Sequence, residues 1–237
     1  MCLGGPYLFT GGSDGKLLMF RIPLFLTFTK ERVREFKTPP APSRAFGQAK
    51  IKGGPNLAHD GPILCMAAEK DFVISGGVDG QIKLWRMESA PGSACARKYL
   101  GHKGAIWAMV IGSAMYDEEE IQVLISGSAD RTIAIWNLFG AKGAPPIKTL
   151  TGHFGSISAI CFVSWRKQVV SGSEDNTVRI WAMSTGLCET VLEGHSQAIT
   201  CLLPWRGRVG DVTLSVVFSA SREGNKNKFS KVLYIVA

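Results

Sequence analysis

Histidine, serine and aspartate recur together in this chain at spacings that could support catalysis. The chain has 237 residues and only four histidines, His59, His102, His153 and His195. The first three are each followed by a serine and, four residues after that serine, by an aspartate. A histidine in contact with a serine and a carboxylate activates the serine as a nucleophile in many hydrolases. The same three groups can instead form structural hydrogen bonds, which buried polar side chains require.

Repetition of the whole set favours the structural role. Segments 73–85, 124–136 and 169–181 each place a tryptophan six residues after the aspartate. One enzyme needs one triad, so three copies predict hydrogen-bonded tetrads and no catalytic residue. We therefore do not expect an enzyme. The predicted tetrads are His59, Ser75, Asp79 and Trp85; His102, Ser126, Asp130 and Trp136; and His153, Ser171, Asp175 and Trp181.

The elements that must position these groups are β-hairpins. In each segment apolar residues alternate on both sides of a turn rich in Gly, Asp and Asn, which indicates two antiparallel strands. Residues 8–20 repeat the pattern, with Thr10, Asp14 and Phe20 in the serine, aspartate and tryptophan positions. Each histidine also stands four residues before an isoleucine that opens another short strand, namely Ile63, Ile106, Ile157 and Ile199.

The unit that runs from GH to Trp, as in GHKGAIWAM followed by LISGSADRTIAIW, resembles the WD-repeat family of β-propellers. Arg86, Asn137 and Ala182 follow the tryptophans where the name-giving aspartate would stand. The resemblance implies an all-β propeller in which each repeat of about 40 to 45 residues forms a four-stranded blade. It also implies that the protein binds other proteins.

The repeats divide one predicted domain, residues 1–237, into about five blades. The first is a hairpin at 7–22 without a histidine or room for a first strand, and a basic Pro/Gly-rich insert at 23–56 follows it. We consider 24–28, within this insert, for the outer strand of blade one. Three complete blades follow at 57–98, 99–148 and 149–191, and a partial blade five occupies 192–237. Because such propellers usually close with more blades, we expect an incomplete or open ring. Either the chain is a piece of a longer protein, which is the interpretation we prefer, or its open edges are covered by a partner or by a second copy.

Blade five allows three threadings after Ser219 and Glu223, which hold the serine and aspartate positions. Counting six residues onward reaches Phe229, but that threading points lysines into the blade. A longer turn instead makes 232–236 the strand and brings Tyr234 near the aromatic position. In the third interpretation, residues 225–237 depart from the repeat altogether.

The net charge of +8 raises the alternative of nucleic-acid binding. Residues 21–52 carry eight basic and two acidic side chains, and residues 222–231 carry four basic and one acidic, so the repeats are close to neutral. Six scattered cysteines without a CxxC pair predict free thiols and no metal site. We expect no cofactor, no secretory signal, no membrane span and a cytoplasmic or nuclear location.

Two surfaces are candidates for partner binding. By the resemblance, contact positions lie three and five residues after each histidine and on either side of each aspartate. The second candidate is a pair of Trp-Arg motifs, Trp165 with Arg166 and Trp205 with Arg206, predicted to lie in equivalent turns. Arginine beside tryptophan suits an acidic peptide or the stacking of bases. The first set comprises Leu64, Trp107, Ser158, Arg131, Glu174 and Asn176, with Pro62, Ala105, Ser156, Ala198, Thr200, Val78 and Ala129.

Two functions are therefore in competition. The first is a non-catalytic scaffold or adaptor that presents a propeller face to protein or peptide partners within a larger complex. The second is an RNA- or DNA-associated factor that uses the basic insert and the Trp-Arg motifs. We prefer the scaffold, because basic residues in segments outside the repeats are a weak indication of nucleic-acid binding.

Overall fold

The computed structural model describes residues 2–4, 7–21, 49–50, 58–69, 71–86, 95–116, 118–209, 212–222 and 232–233. These residues form β-strands and no helix, in five antiparallel sheets that follow one another along the chain. Among them, no helix is therefore long and apolar enough to cross a membrane. Within the described ranges, substantial contacts join each sheet only to its neighbours in sequence, so the sheets do not close into a ring.

Blades two, three and four are four-stranded sheets. The first strand of each begins at the isoleucine that lies four residues after a histidine. Blade two contains β5 (Ile63–Ala68), β6 (Phe72–Gly77), β7 (Ile82–Arg86) and β8 (Cys95–Tyr99). Blade three contains β9 (Ile106–Tyr116), β10 (Glu119–Ser128), β11 (Ile133–Asn137) and β12 (Lys148–Leu150). Blade four contains β13 (Ile157–Val163), β14 (Gln168–Ser173), β15 (Val178–Ala182) and β16 (Cys188–Leu192).

Blade one has more strands than the predicted hairpin. It consists of β1 (Cys2–Gly4), β2 (Tyr7–Gly11), β3 (Leu17–Arg21) and β4 (Ala49–Lys50). The prediction of no room for a first strand is wrong, because the three residues of β1 suffice to pair with β2. The outer strand comes from the end of the insert, where β4 pairs with β3. Segment 24–28, considered for this role, lies outside the described residues.

Blade five is described by three strands, β17 (Ile199–Val209), β18 (Val212–Ser221) and β19 (Val232–Leu233). The pairing of β19 with β18 agrees with the threading that uses a longer turn, although Tyr234 and Phe229 lie outside the described residues. The hairpin of β17 and β18 is longer than its counterpart in blade four. Trp205 and Arg206 are consequently within a strand, and their predicted position in a turn is wrong.

The hydrophobic core lies between the blades. Period-two alternation gives each sheet two apolar faces, and each face packs on the next sheet. Four clusters of buried side chains result, one at each junction between successive blades. Phe9 and Ile63 join blades one and two, and Val170 and Ile199 join blades four and five.

Candidate functional site

Three hydrogen-bonded chains of the same composition run through blades two, three and four. In blade two, Trp85 Nε1 donates to Ser75 Oγ over 2.9 Å, and Ser75 Oγ lies 2.8 Å from His59 Nε2. His59 Nδ1 lies 2.9 Å from a carboxylate oxygen of Asp79. The same bonds, 2.8 to 2.9 Å long, join His102, Ser126, Asp130 and Trp136, and likewise His153, Ser171, Asp175 and Trp181.

One neutral tautomer of the histidine satisfies every group in such a chain. The ring donates from Nδ1 to aspartate and accepts at Nε2 from the serine hydroxyl, which in turn accepts the indole N–H. Burial disfavours the charged ring and lowers the pKa of His59 and His153 below the usual value for histidine. Burial also opposes ionisation of Asp175, but hydrogen bonds from Thr177 and His153 outweigh it and lower that pKa to about 2.

These serines are not placed as nucleophiles. Ser75, Ser126 and Ser171 are all 0% exposed, so a substrate carbonyl has no route to their hydroxyls. Each aspartate instead holds a loop to a turn. Asp130, for example, accepts bonds from the backbone N–H of Lys103, before the first strand, and of Thr132, in the hairpin turn. The tetrads therefore fix the loops at one end of the blades.

A second repeated bond aligns the residues that face solvent at this end. In blade two the backbone N–H of Val78 donates to the carbonyl oxygen of Pro62 over 3.0 Å. The equivalent pairs are Ala129 with Ala105, Glu174 with Ser156, and Arg222 with Ala198. The loop before each first strand and the turn between the second and third strands therefore stay side by side. We call the surface they form the upper face.

The upper face contains a pocket of about 170 Å³ between blades three, four and five. Six of its lining residues belong to the predicted contact set. Trp107 supplies the largest apolar surface and is 46% exposed. Glu174 and Arg222 add opposite charges at its edge, and neither forms an ion pair with a described residue. The pocket is lined by Trp107, Ser156, Ser158, Glu174, Ala198, Ile199, Thr200 and Arg222.

The remaining predicted contact residues lie outside this pocket. Leu64 is half-buried in β5, and Val78 is 46% exposed above Gly61. Arg131 and Asn176 adopt positive φ angles of 70° and 68° at their hairpin turns. Pro62, Ala105 and Ala129 take part in the aligned loop pairs. The structure thus groups Trp107 with the predicted residues of blades four and five other than Asn176. It leaves apart those of blade two and the other predicted residues of blade three.

Two exposed residues near the upper face are absent from the contact residues predicted from the sequence. Arg222 stands one residue before Glu223, so the rule of flanking the aspartate position would have included it. Phe154 follows His153 and is 80% exposed, with the Arg179 guanidinium 6.0 Å from its ring centre. No pattern in a single repeat marks Phe154, because blades two and three have Asp60 and Lys103 at that position.

The Trp-Arg motifs meet but do not form one surface. Arg206 lies 5.8 Å from the ring centre of Trp165, so it covers a face of the indole that a base would need. Trp205 points to the other side of its strand, since side chains alternate along a strand. Arg166 is exposed beside Trp165. Within the described part of the chain, no group of three or more His, Cys, Asp or Glu side chains could hold a metal ion.

Comparison with known proteins agrees with this architecture. A family model described as "WD domain, G-beta repeat" matches residues 56–86, 93–137 and 144–182. Nuclear distribution protein nudF 1 of Talaromyces marneffei is 32% identical over 149 residues, which are 62% of this chain and 30% of that protein. Nuclear distribution protein PAC1 of Gibberella zeae is 30% identical over 181 residues, covering 70% of this chain and 37% of that protein.

A third relative is WD repeat-containing protein pop2 of Schizosaccharomyces pombe, which is 26% identical over 184 residues, 66% of this chain and 24% of its own. The chain therefore spans less than two fifths of the length of these relatives. Among solved structures, the WD40 β-propeller domain of Doa1 matches with a TM-score of 0.60 at 20% identity. That match covers 97% of this chain and 65% of the other, and it shows the fold.

Proposed function

Because the chain is a WD-repeat protein, we propose that it is a non-catalytic interaction scaffold whose upper face binds a peptide segment of another protein. The observation that supports this most directly is the pocket around Trp107. Six residues predicted to contact a partner line that pocket together. Exposed tryptophan at the centre of a concave surface is a frequent source of binding energy in protein interfaces.

The chemistry of the pocket suits a peptide better than a nucleic-acid strand. The indole of Trp107 offers apolar area, and the charges of Glu174 and Arg222 cancel, so the pocket has no excess of positive charge to attract a phosphate backbone. The hydroxyl of Ser158 lies within hydrogen-bond distance of the carbonyl oxygens of Gly172 and Ile199 and shares its one proton between them, so its place between blades four and five is fixed. The pocket is therefore held in shape before a ligand arrives, which lowers the entropy cost of binding.

We also propose a cytoplasmic or nuclear location and a role as adaptor in a larger complex. The free thiols of Cys65, Cys95, Cys161, Cys188 and Cys201 support a reducing compartment. The names of two relatives, nuclear distribution proteins, are consistent with an intracellular role. Those relatives are much longer than this chain, so their own partners are not assigned to it.

The decisive experiment compares capture by three forms of the chain from cell extract. These are the unaltered chain, Trp107→Ala, and Leu187→Ala as a matched control, since Leu187 is 68% exposed away from the pocket. We expect protein partners that persist at high salt, disappear with Trp107→Ala and remain with Leu187→Ala. Recovery of nucleic acid that is released by salt, equally from all three forms, would overturn the proposal and favour the nucleic-acid alternative.

A further inference from the structure

The lining of the upper-face pocket contains two charged side chains, and they come from neighbouring blades. Glu174 and Arg222 hold the same position in their repeats, because the backbone N–H of each donates to the loop before the first strand of its own blade, at Ser156 and Ala198 respectively. Both side chains are exposed. Within the described ranges, neither the carboxylate nor the guanidinium has an ion-pair partner that would compete with a charged ligand.

Trp107 extends the pocket on the side of blade three. It holds the position that Ser158 has in blade four and Thr200 has in blade five, each five residues after a histidine. The first strands of these three blades lie side by side in chain order, with β9 beside β13 and β13 beside β17. The order across the pocket is therefore Trp107 of blade three, Glu174 of blade four and Arg222 of blade five.

The two ends of the pocket favour ligand groups of opposite charge. The face of an indole attracts ammonium and guanidinium groups, and a nearby carboxylate adds attraction between charges, so Trp107 and Glu174 together favour a cation. Arg222 favours a carboxylate, which a guanidinium can bind through two hydrogen bonds. The hydroxyls of Ser158 and Thr200 already donate to backbone carbonyl oxygens. Selection between ligands by charge therefore depends on Glu174 and Arg222.

The spacing of the blades sets the distance between the two ligand charges. Packed sheets lie about 10 Å apart, and an extended peptide advances about 3.3 Å per residue, so equivalent positions in blades four and five are separated by roughly three residues. We propose that the pocket selects an extended peptide with one basic and one acidic residue about three positions apart. The basic side chain lies between Trp107 and Glu174, and the acidic side chain pairs with Arg222. The inference rests on the proposed function, since it specifies which peptide the upper face binds.

Selection from random peptides by the full chain tests the proposal. The probe is a phage-displayed library of random peptides of about ten residues, long enough when extended to cross all three blades. Among the peptides that the unaltered chain retains, sequencing should show the pair of a basic and an acidic residue enriched at least about threefold over the library. Trp107→Ala should remove this enrichment together with the retention of peptides.

Reversal of one charge should change the selected pair in a defined way. Glu174→Arg should select two acidic residues, and Arg222→Glu should select two basic residues. The matched controls Glu119→Arg and Arg208→Glu change the net charge of the chain by the same amounts, at exposed positions near the ends of β10 and β17 that are remote from the upper face. They should leave the selected pair unchanged. If thermal unfolding shows that a pocket variant does not fold, Glu174→Gln or Arg222→Gln replaces it and should remove the preference for the residue that it contacts.

Three results would overturn the proposal. Peptides that need Trp107 but show no preference for charge, or a preference that survives both reversals, contradict it and leave the proposed function standing. A chain that retains no peptide contradicts the proposed function and this inference with it. Equal shifts of the selected pair in the pocket variants and in the control variants would show attraction to the overall charge of the chain, and would contradict a selective pocket.

Discussion

Blades four and five share their polar framework and differ in their outer sides. Both join a histidine to the serine of the second strand, and both pack their inner sides into a cluster with the preceding blade. Blade four then offers Gly172 and small buried side chains to blade five. Blade five offers Ala220, Trp205 and Phe218 to solvent. The hydrogen bonds that organise a blade and the packing that joins two blades are therefore encoded by different residues.

The two tryptophans give the largest expected contrast. Trp181 of blade four is 1% exposed, so Trp181→Ala should cost about 3 to 5 kcal/mol of unfolding free energy through lost burial and an internal cavity. Trp205→Ala, which removes an exposed indole, should cost less than about 1 kcal/mol. Urea unfolding of both variants measures the difference. Similar losses of unfolding free energy in the two variants would show that the Trp205 indole is covered within the folded chain.

The next test concerns the contact between the isoleucine that opens a blade and a glycine in the second strand of the preceding blade, as between Ile199 and Gly172. Gly172→Ala should lower the free energy of unfolding by about 1 to 3 kcal/mol, because the new methyl group overpacks against Ile199. The reverse change in blade five, Ala220→Gly, meets no neighbouring blade and should alter stability by less than about 1 kcal/mol. Denaturant unfolding of the single variants gives both values. In an Ile199→Ala background the penalty of Gly172→Ala should shrink, and full additivity would contradict the proposed contact.

Acid should destabilise the tetrad blades in two steps. His59 and His153 have lowered pKa values in the folded state, so the unfolded chain binds more protons and stability falls as pH drops below about 6.5. Asp175 adds a second loss between pH 3.8 and about 2, since its lowered pKa stabilises the fold only while it is ionised. Thermal unfolding across this pH range measures both. Asp175→Asn should reduce the second step and enlarge the first, because the Asp175 carboxylate partly offsets the effect of burial on the pKa of His153. An unchanged second step would be inconsistent with this assignment.

Thiol reactivity offers the mildest contrast. Burial raises the pKa of Cys161 to about 12, and the side chain lies within the junction of blades four and five. Cys201, in β17 of blade five, is exposed. Maleimide labelling followed by peptide mass mapping should modify Cys201 at least about a hundredfold faster than Cys161 in dilute protein. Equal labelling of both thiols would contradict the folded arrangement.

The sequence predicted the parts of the fold that repeat. Histidine and isoleucine mark the start of each first strand from β5 onward, and serine, aspartate and tryptophan mark each hairpin, because one blade contains all of these contacts. The strands of blade one were harder to predict, since β1 precedes any histidine and β4 lies at the end of a long insert. Trp205 was misplaced because the length of a hairpin depends on pairing, which the Trp-Arg motif does not encode.

The candidate site likewise has a part that the repeat predicts and a part that it does not. Counting from each histidine and aspartate identified six lining residues of the upper-face pocket, because the repeat fixes their positions within a blade. It could not predict that Trp107 meets residues of blades four and five, since that grouping depends on how blades pack. The contacts of glycines with isoleucines of the next blade could not be predicted either, since they too depend on how blades pack. Glycine in a turn-rich repeat looks like part of the turn until the isoleucine of the next blade is seen beside it.

The contacts between glycine and isoleucine also determine how the protein opens. Each contact couples only two neighbouring blades, so the chain behaves as a short one-dimensional array with nearest-neighbour cooperativity. Among the described blades, two, three and four have such a contact on both sides, whereas blades one and five have one on a single side, through Gly11 and Gly172. Fraying therefore starts at an end and proceeds inward one blade at a time. Amide hydrogen exchange would follow this order, with the slowest exchange in β10 of blade three, at the middle of the array.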